Sequence, residues 1–269
     1  MDFLIEQLSL FLAGFIANIL ASISGGGAGF VQLPVLIFLG LSFPMALGTH
    51  KVAVVALGIG AFSRNPHVHG LNKQIALLML LIGCPAVTLG SVIIVNFSDW
   101  LAEFILGIIT IGSVIYSIFK KDFGITSDEK KLTGYKLYIG AILIGIVGLL
   151  SGSFSSGAGL FGIMTLVLWF KMDIKRAINH SMIFVALIWN FVGAFTIGSM
   201  GQIYWPWVPM LLLGAFLGGY IGTMLMHKLN TKIIKKLFQS VMIISGIMLL
   251  IKGYQHCPIE YISLTNNIF

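Results

Sequence analysis

The chain has 269 residues, 58% of them hydrophobic and only 9% charged, with a formal net charge of +7 and a mean hydropathy of +1.01. A water-soluble domain carries about a quarter of its residues as charges, so the composition excludes an ordinary soluble enzyme or binding module. The surplus apolar surface is expected to face lipid, and the positive charge gives no reason to expect a nucleic-acid partner.

In chain order, apolar segments are predicted at 4–23, 30–41, 44–62, 75–95, 101–119, 138–150, 160–170, 178–197, 208–226 and 233–251. Most approach the ~20 residues a spanning helix needs. The start of the chain carries Asp2 and Glu6 and no Lys or Arg, so the first segment reads as a retained helix rather than a cleaved signal. The second, sixth and seventh segments are short. A glycine-rich break, Ser24-Gly25-Gly26-Gly27-Ala28-Gly29, precedes the second, and a Ser/Gly-rich break, Ser153 to Gly159, precedes the seventh. Each broken pair reads either as two short crossings or as a dip that turns back. Cys84 and Cys257 make no disulfide framework.

Basic residues sort by connection. Of the 16 Lys and Arg, all but Lys51 and Lys252 fall between segments three and four, five and six, seven and eight, or nine and ten, with Lys235 and Lys236 in the first turn of segment ten. These are alternate connections, so the positive-inside rule puts them in the cytoplasm and both termini outside.

The chain also repeats. Gly27-Ala28-Gly29 matches Gly157-Ala158-Gly159, and Ala46 to Lys51 matches Ala177 to Met182, each pair about 130 residues apart. Uncharged Gly40 to Phe43 corresponds to charged Lys171 to Arg176. The fold expected is all-α: a polytopic membrane protein of two inverted repeats, each of about five helical segments, with broken or short helices at the matched breaks. The first repeat is 1–119, the cytoplasmic linker 120–137 and the second repeat 138–269.

Three groups of residues could carry chemistry. Lys51 is the one Lys, Arg, Asp or Glu deep inside an apolar segment. A charge there costs on the order of 2.5 kcal/mol or more. It either snorkels or faces an anion, and the scarcity of carboxylates at depth favours a substrate as its counter-charge. The two breaks leave backbone N–H groups at the start of the next helix, which suits an anion. Gly26, Gly27, Ser156 and Gly157 are the backbone donors predicted there, with Ser155 and Ser156 as extra donors. Small residues at a break equally suit close helix packing. The third group is Gln32, Thr49, His50, Asn179, His180 and Asn190. Asn179 and Asn190 are spaced to share a helix face, and either histidine could couple a proton. His67-Val68-His69 lacks a Cys or carboxylate neighbour, so no metal is expected. No catalytic arrangement stands out. Gly214, Gly218 and Gly222 read as a packing face.

Gly25-Gly26-Gly27 followed by Pro34, then Ala46 to Lys51, Gly152 to Gly159, Ala177 to His180, Asn190 and the Gly214–Gly222 stretch together resemble the TauE/SafE family of membrane permeases. The resemblance runs from Gly14 to Gly253. It implies a multi-pass protein of the bacterial inner membrane that moves sulfite, sulfonates or related organosulfur anions. The halves are unequal: Ser155-Ser156 stands where glycine is common, Met164 opposite Pro34, and Met182 opposite Lys51.

The reading is therefore a secondary transporter, not an enzyme, moving a small anionic solute by alternating access and needing no cofactor. Its partners are the lipid bilayer and the substrate. A coupling ion (proton or sodium) and a homo-oligomer stay open. A passive anion channel, a membrane-embedded enzyme and a sensor subunit are the rivals.

Overall fold

In a computed structural model the protein is described over residues 3–64, 71–94, 133–155 and 157–255, with scattered residues between 100 and 119. Ser156, His67, His69, Cys257, most of 101–119 and the linker residues 120–132 lie outside the described residues.

The described chain is helical throughout. Its helices are α1 (Phe3–Ser24), α2 (Ala28–Phe38), α3 (Phe43–Ser63), α4 (Lys73–Ile93), α5 (Tyr135–Ser153), α6 (Ala158–Leu168), α7 (Ile174–Ser199), α8 (Trp205–Lys228) and α9 (Thr231–Gln255). Seven of these are long and apolar enough to cross a membrane; α2 and α6 are not among them. Apolar periodicity explains how the long ones sit. Along α1, Leu4, Leu8, Leu12, Ile16 and Leu20 are exposed at every fourth position, a stripe suited to lipid. The opposite face carries Gly14, Asn18 and Ser22, and the last two are fully buried.

The short helices settle how the broken pairs run. Each is 11 residues long, about 16 Å at 1.5 Å per residue, roughly half a hydrocarbon core. A Cβ on Gly14 of α1 would lie 3.6 Å from Gln32 Nε2 of α2, so α2 turns back along α1. Likewise the Trp169 indole just past α6 donates to the Lys136 carbonyl at the start of α5, 3.1 Å away. Both pairs are dips that return to the side they came from.

Left-handed backbone positions recur in the two parts of the chain. Gly25 (φ 85) and Gly27 (φ 98) are matched by Ser155 (φ 56) and Gly157 (φ 82), and Gly40 (φ 106) by Lys171 (φ 58). Gly27 and Gly157 are the N-caps of α2 and α6. Glycine is free to take this conformation; serine and lysine take it at a cost.

Two parallel helix pairs flank the breaks. On α8, Gly214, Gly218 and Gly222 meet Phe11, Phe15 and Ile19 of α1 in the same order. On α4 and α5, Gly83 lies against Gly148, and Val87 and Ser91 against Gly152. At these seams an added Cβ would fall 2.2–2.9 Å from the neighbouring backbone. The predicted Gly214–Gly222 packing face is thus a tight seam.

Two helices carry π-type segments, Met79–Gly83 within α4 and Ser181–Trp189 within α7. Widened i→i+5 turns strand carbonyls that need other donors. The buried Trp189 indole donates to Met79 O at 2.8 Å, and the Asn190 amide donates to Val185 O at 2.7 Å.

Candidate functional site

The two breaks meet face to face. A Cβ on Gly26 would lie 2.9 Å from Leu160 N and 3.0 Å from Gly159, and one on Gly159 would lie 2.9 Å from Gly25 O. Ser24 Oγ holds the first break by sharing its one proton between Leu20 O (2.7 Å) and Gly26 O (2.9 Å). Ser181 Oγ of α7 reaches across to Gly25 O at 3.1 Å.

A small cavity of about 30 Å³ opens at this junction. The first break from Gly25 to Gly29 lines one wall, with His50 and Val54 of α3. Ser155, Gly159, Ser181, Met182 and Asn190 line the other. The chemistry of the lining is that of donors. Neither α2 nor α6 has a side-chain N-cap, so the positive ends of both helix dipoles face the junction without a side chain on them, and of the first-turn N–H groups Ala158 N of α6 donates to Ser155 O at 3.4 Å. Ser155 Oγ donates to Asn190 Oδ1 at 3.3 Å. Among the described residues lining the cavity there is no Asp or Glu. His50 is oriented from behind: its Nδ1 donates to Gln32 Oε1 at 2.7 Å, because an amide oxygen can only accept. That leaves Nε2 as the other polar atom of the ring.

A family model for the sulfite exporter TauE/SafE matches residues 10–249. The chain belongs to this family. It is 28% identical to a protein of Sinorhizobium named as a probable membrane transporter, ORF9, over 90% of this chain and 91% of that one. It is 24% identical to the probable membrane transporter YunE of Bacillus subtilis, over 91% and 97% of the two chains. It is 26% identical to YfcA of Escherichia coli K12, over 89% and 86%. No solved structure matches the chain. The protein is a multi-pass membrane protein of a transporter family, and among the described residues seven helices are long and apolar enough to cross a membrane.

Within this family member, the residues picked out from the sequence separate into two groups. Gly26, Gly27, His50 and Asn190 line the cavity, Gln32 positions His50, and Gly157 caps α6 beside it. Lys51, Thr49, Asn179 and His180 do not line it. Lys51 is fully buried and donates to Ser151 O in the last turn of α5 at 2.6 Å. Its tip lies against Gly193, where an added Cβ would be 3.1 Å from Nζ. Thr49 Oγ1 donates to Met45 O at 2.7 Å and accepts from Tyr204 N at 2.9 Å. His180 Nε2 accepts from Asn72 N at 3.0 Å, and its Nδ1 donates to Arg176 O at 2.9 Å.

Asn179 is buried with no hydrogen-bond partner for Oδ1 among the described residues. It does not share the cavity face with Asn190, because the π-type winding between them changes the angle per residue. Ser155, read from the sequence as an extra donor at the second break, lines the cavity, whereas Ser181 was missed. The repeat alignment sets Ser181 opposite His50, and that pairing was the available signal.

Proposed function

We propose that this protein is a secondary transporter of the plasma (inner) membrane that carries a small sulfite-like oxyanion through the junction of the two breaks. The observation that carries the reading is the meeting of two uncapped half-helix N-termini at one cavity. Such termini offer positive dipole ends and backbone N–H groups beyond Ala158 N, which Ser155 O already holds, where an anion would sit. Ser155, Ser181, Asn190 and His50 add side-chain polarity, and no carboxylate opposes it among the described lining residues. Irregular backbone inside a membrane is tolerated where it lines such a cavity.

Size favours a few-atom anion. A water needs roughly 10–15 Å³ measured in this way, so a cavity of about 30 Å³ suits sulfite better than a long sulfonate. The proposed architecture is two inverted halves, 1–119 and 138–269, joined by a cytoplasmic linker, 120–137. Its support is the matched left-handed positions and the two parallel glycine seams. Alternating access would then be relative motion of the halves about the Gly26–Gly159 contact. Lys51 would act as a tie between α3 and the carbonyl end of α5 rather than as a direct ligand.

The test is flux of radiolabelled sulfite into proteoliposomes. Asn190→Asp places a negative charge in the cavity at nearly constant shape and is expected to lower sulfite flux by about tenfold or more. Sulfite flux by Asn190→Asp equal to that of the parent would exclude the cavity as the anion path.

A further inference from the structure

Two residues that stand outside the cavity form a matched pair. Thr49 of α3 and His180 of α7 hold equivalent positions in the sequence repeat, and each makes the same two contacts. Thr49 Oγ1 donates to Met45 O, four residues back, and accepts from Tyr204 N at 2.9 Å. His180 Nδ1 donates to Arg176 O, also four residues back, and Nε2 accepts from Asn72 N at 3.0 Å. Tyr204 immediately precedes α8, and Asn72 immediately precedes α4.

The two bonds close opposite ends of the bundle. A Cβ on Gly48 would lie 2.8 Å from Ile197, and one on Gly58 would lie 2.6 Å from Leu187, so α3 and α7 run antiparallel. Thr49, in the second turn of α3, ties the chain that leaves α7. His180, in the second turn of α7, ties the chain that leaves α3. Helix α3 has 21 residues, about 30 Å at 1.5 Å per residue, which separates the two ties. Each adjoins the cavity, because His50 follows Thr49, Ser181 follows His180, and both line it. The Asn72 side chain accepts from Gln74 N and Ile75 N, so the His180 bond also positions the first turn of α4.

The two ties differ in their response to protons. A hydroxyl oxygen accepts at any ordinary pH, whereas an imidazole nitrogen accepts only while it is unprotonated. Nδ1 already carries the proton that Arg176 O receives. A second proton can go only to Nε2, the atom that accepts from Asn72 N. Two N–H donors would then face each other, and the bond would be lost.

We propose that His180 is a proton-operated latch at the charged end of the bundle, paired with the pH-independent Thr49 latch at the other end. Protonation frees the start of α4 and opens the charged end alone. Charged groups surround the latch on several elements. On α7 itself are Lys175, Arg176 and Asp173, and the Asp173 carboxylate accepts from Arg176 N. Helix α4 brings Lys73. Helices α6, α9 and α1 pack against the start of α7. Of these, α6 has no titratable side chain, α9 brings Lys232, Lys235 and Lys236, and the one carboxylate of α1, Glu6, is held by Trp207 at the far end. These groups set the pH at which the latch opens, not the direction of its response. That the latch gates an anion path rests on the transport reading above; its response to protons does not.

The test is hydrogen–deuterium exchange of the full-length protein in detergent, read at the Asn72 and Tyr204 amides as protection relative to the intrinsic rate at each pH. From about pH 8 to about pH 5, the range in which histidine changes charge, protection at Asn72 should fall about tenfold or more while protection at Tyr204 holds. His180→Gln supplies an amide oxygen that accepts without titrating, so Asn72 should stay protected at both pH values. His180→Arg has donors only and should leave Asn72 unprotected at both. Equal protection of Asn72 at the two pH values in the parent overturns the proposal. So does an equal fall at Tyr204, the mark of general loosening, or a pH-dependent fall that persists in His180→Gln. If the glutamine leaves Asn72 unprotected throughout, the parent's contrast between Asn72 and Tyr204 decides. Sulfite flux of the parent is then divided by that of His180→Gln at each pH, which cancels the solute's own titration, and this ratio should change severalfold over the same range. Exchange that follows pH without sulfite flux in either protein would count against the transport reading alone. Flux with Asn72 exchange indifferent to pH would count against the latch alone.

Discussion

Lys51 shows how a costly residue can be retained at depth. Its ammonium is buried in α3 and answered by one carbonyl, Ser151 O, at the negative end of α5. Gly193 leaves room for that reach and no more. Lys51→Met should leave the protein inserted and folded, since methionine already fills the matched position at Met182, and should lower sulfite flux about tenfold or more. Gly193→Ala pushes a methyl against the same ammonium and should reproduce that loss. If the two act on one contact, the double variant should be no worse than either single one, a non-additivity readable in a flux double-mutant cycle. Ser155 carries a different cost, a left-handed backbone at φ 56 where the first break has Gly25. That conformation costs a non-glycine residue roughly 1–2 kcal/mol. Ser155→Gly releases the strain but loses a 3.3 Å hydrogen bond to Asn190, worth about 1 kcal/mol. Its Tm should therefore stay close to the parent's or rise. Ser155→Ala loses the bond, keeps the strain and should melt lower.

The π-type segment of α4 is held by a donor one element away, on α7, whereas the π-type segment of α7 is served by its own Asn190 amide. Trp189 Nε1 satisfies Met79 O at the start of the π-type segment of α4, and its ring fills the space against Gly83. Trp189→Phe keeps most of the ring and removes the donor. It should destabilise the protein by about 1 kcal/mol, the net worth of one hydrogen bond, since Met79 O keeps only the weak Cys84 thiol donor at 3.9 Å; the measurement is a lower midpoint of thermal unfolding in detergent. The sequence makes the long helices visible because an apolar run is a direct record of lipid contact. It makes the breaks visible because glycine is permissive and recurs at Gly27 and Gly157. It does not show the π-type segments, since a shift from i→i+4 to i→i+5 bonding leaves no trace in composition. For that reason the face arithmetic joining Asn179 to Asn190 fails. The partner of Lys51 is equally invisible, because every residue has a carbonyl and only the fold selects Ser151. Thr49 and His180 are polar residues near the breaks in sequence, yet each is used up by a neighbouring backbone group.

At the scale of the molecule, the described helix ends that flank charged and uncharged connections gather at opposite ends of the bundle. At one end Arg64 stands over the Tyr220 ring at 5.5 Å, His180 joins the start of α4, and Trp169 joins the start of α5. The basic residues Lys171, Lys175, Arg176 and Lys228 belong to this end by position in the chain. At the other end, Thr49 bonds Tyr204, and the Trp207 indole donates to Glu6 at the start of α1. Tryptophan and tyrosine at a helix end suit a membrane interface. Retention of Lys and Arg on the cytoplasmic side predicts which end is which. In a variant lacking Cys84 and Cys257, a single cysteine at Ser42, in the uncharged α2–α3 connection, should react with a membrane-impermeant maleimide applied to intact cells. A single cysteine at Lys175 should react only after the cells are opened. The reverse pattern would invert the bundle and would place the linker 120–137 outside. Because α2 and α6 return to the side they came from, each dip with its parent helix leaves the sidedness of α3 and α7 opposite. The same two labels therefore also test whether the two halves are inverted: parallel halves would put both cysteines on one side.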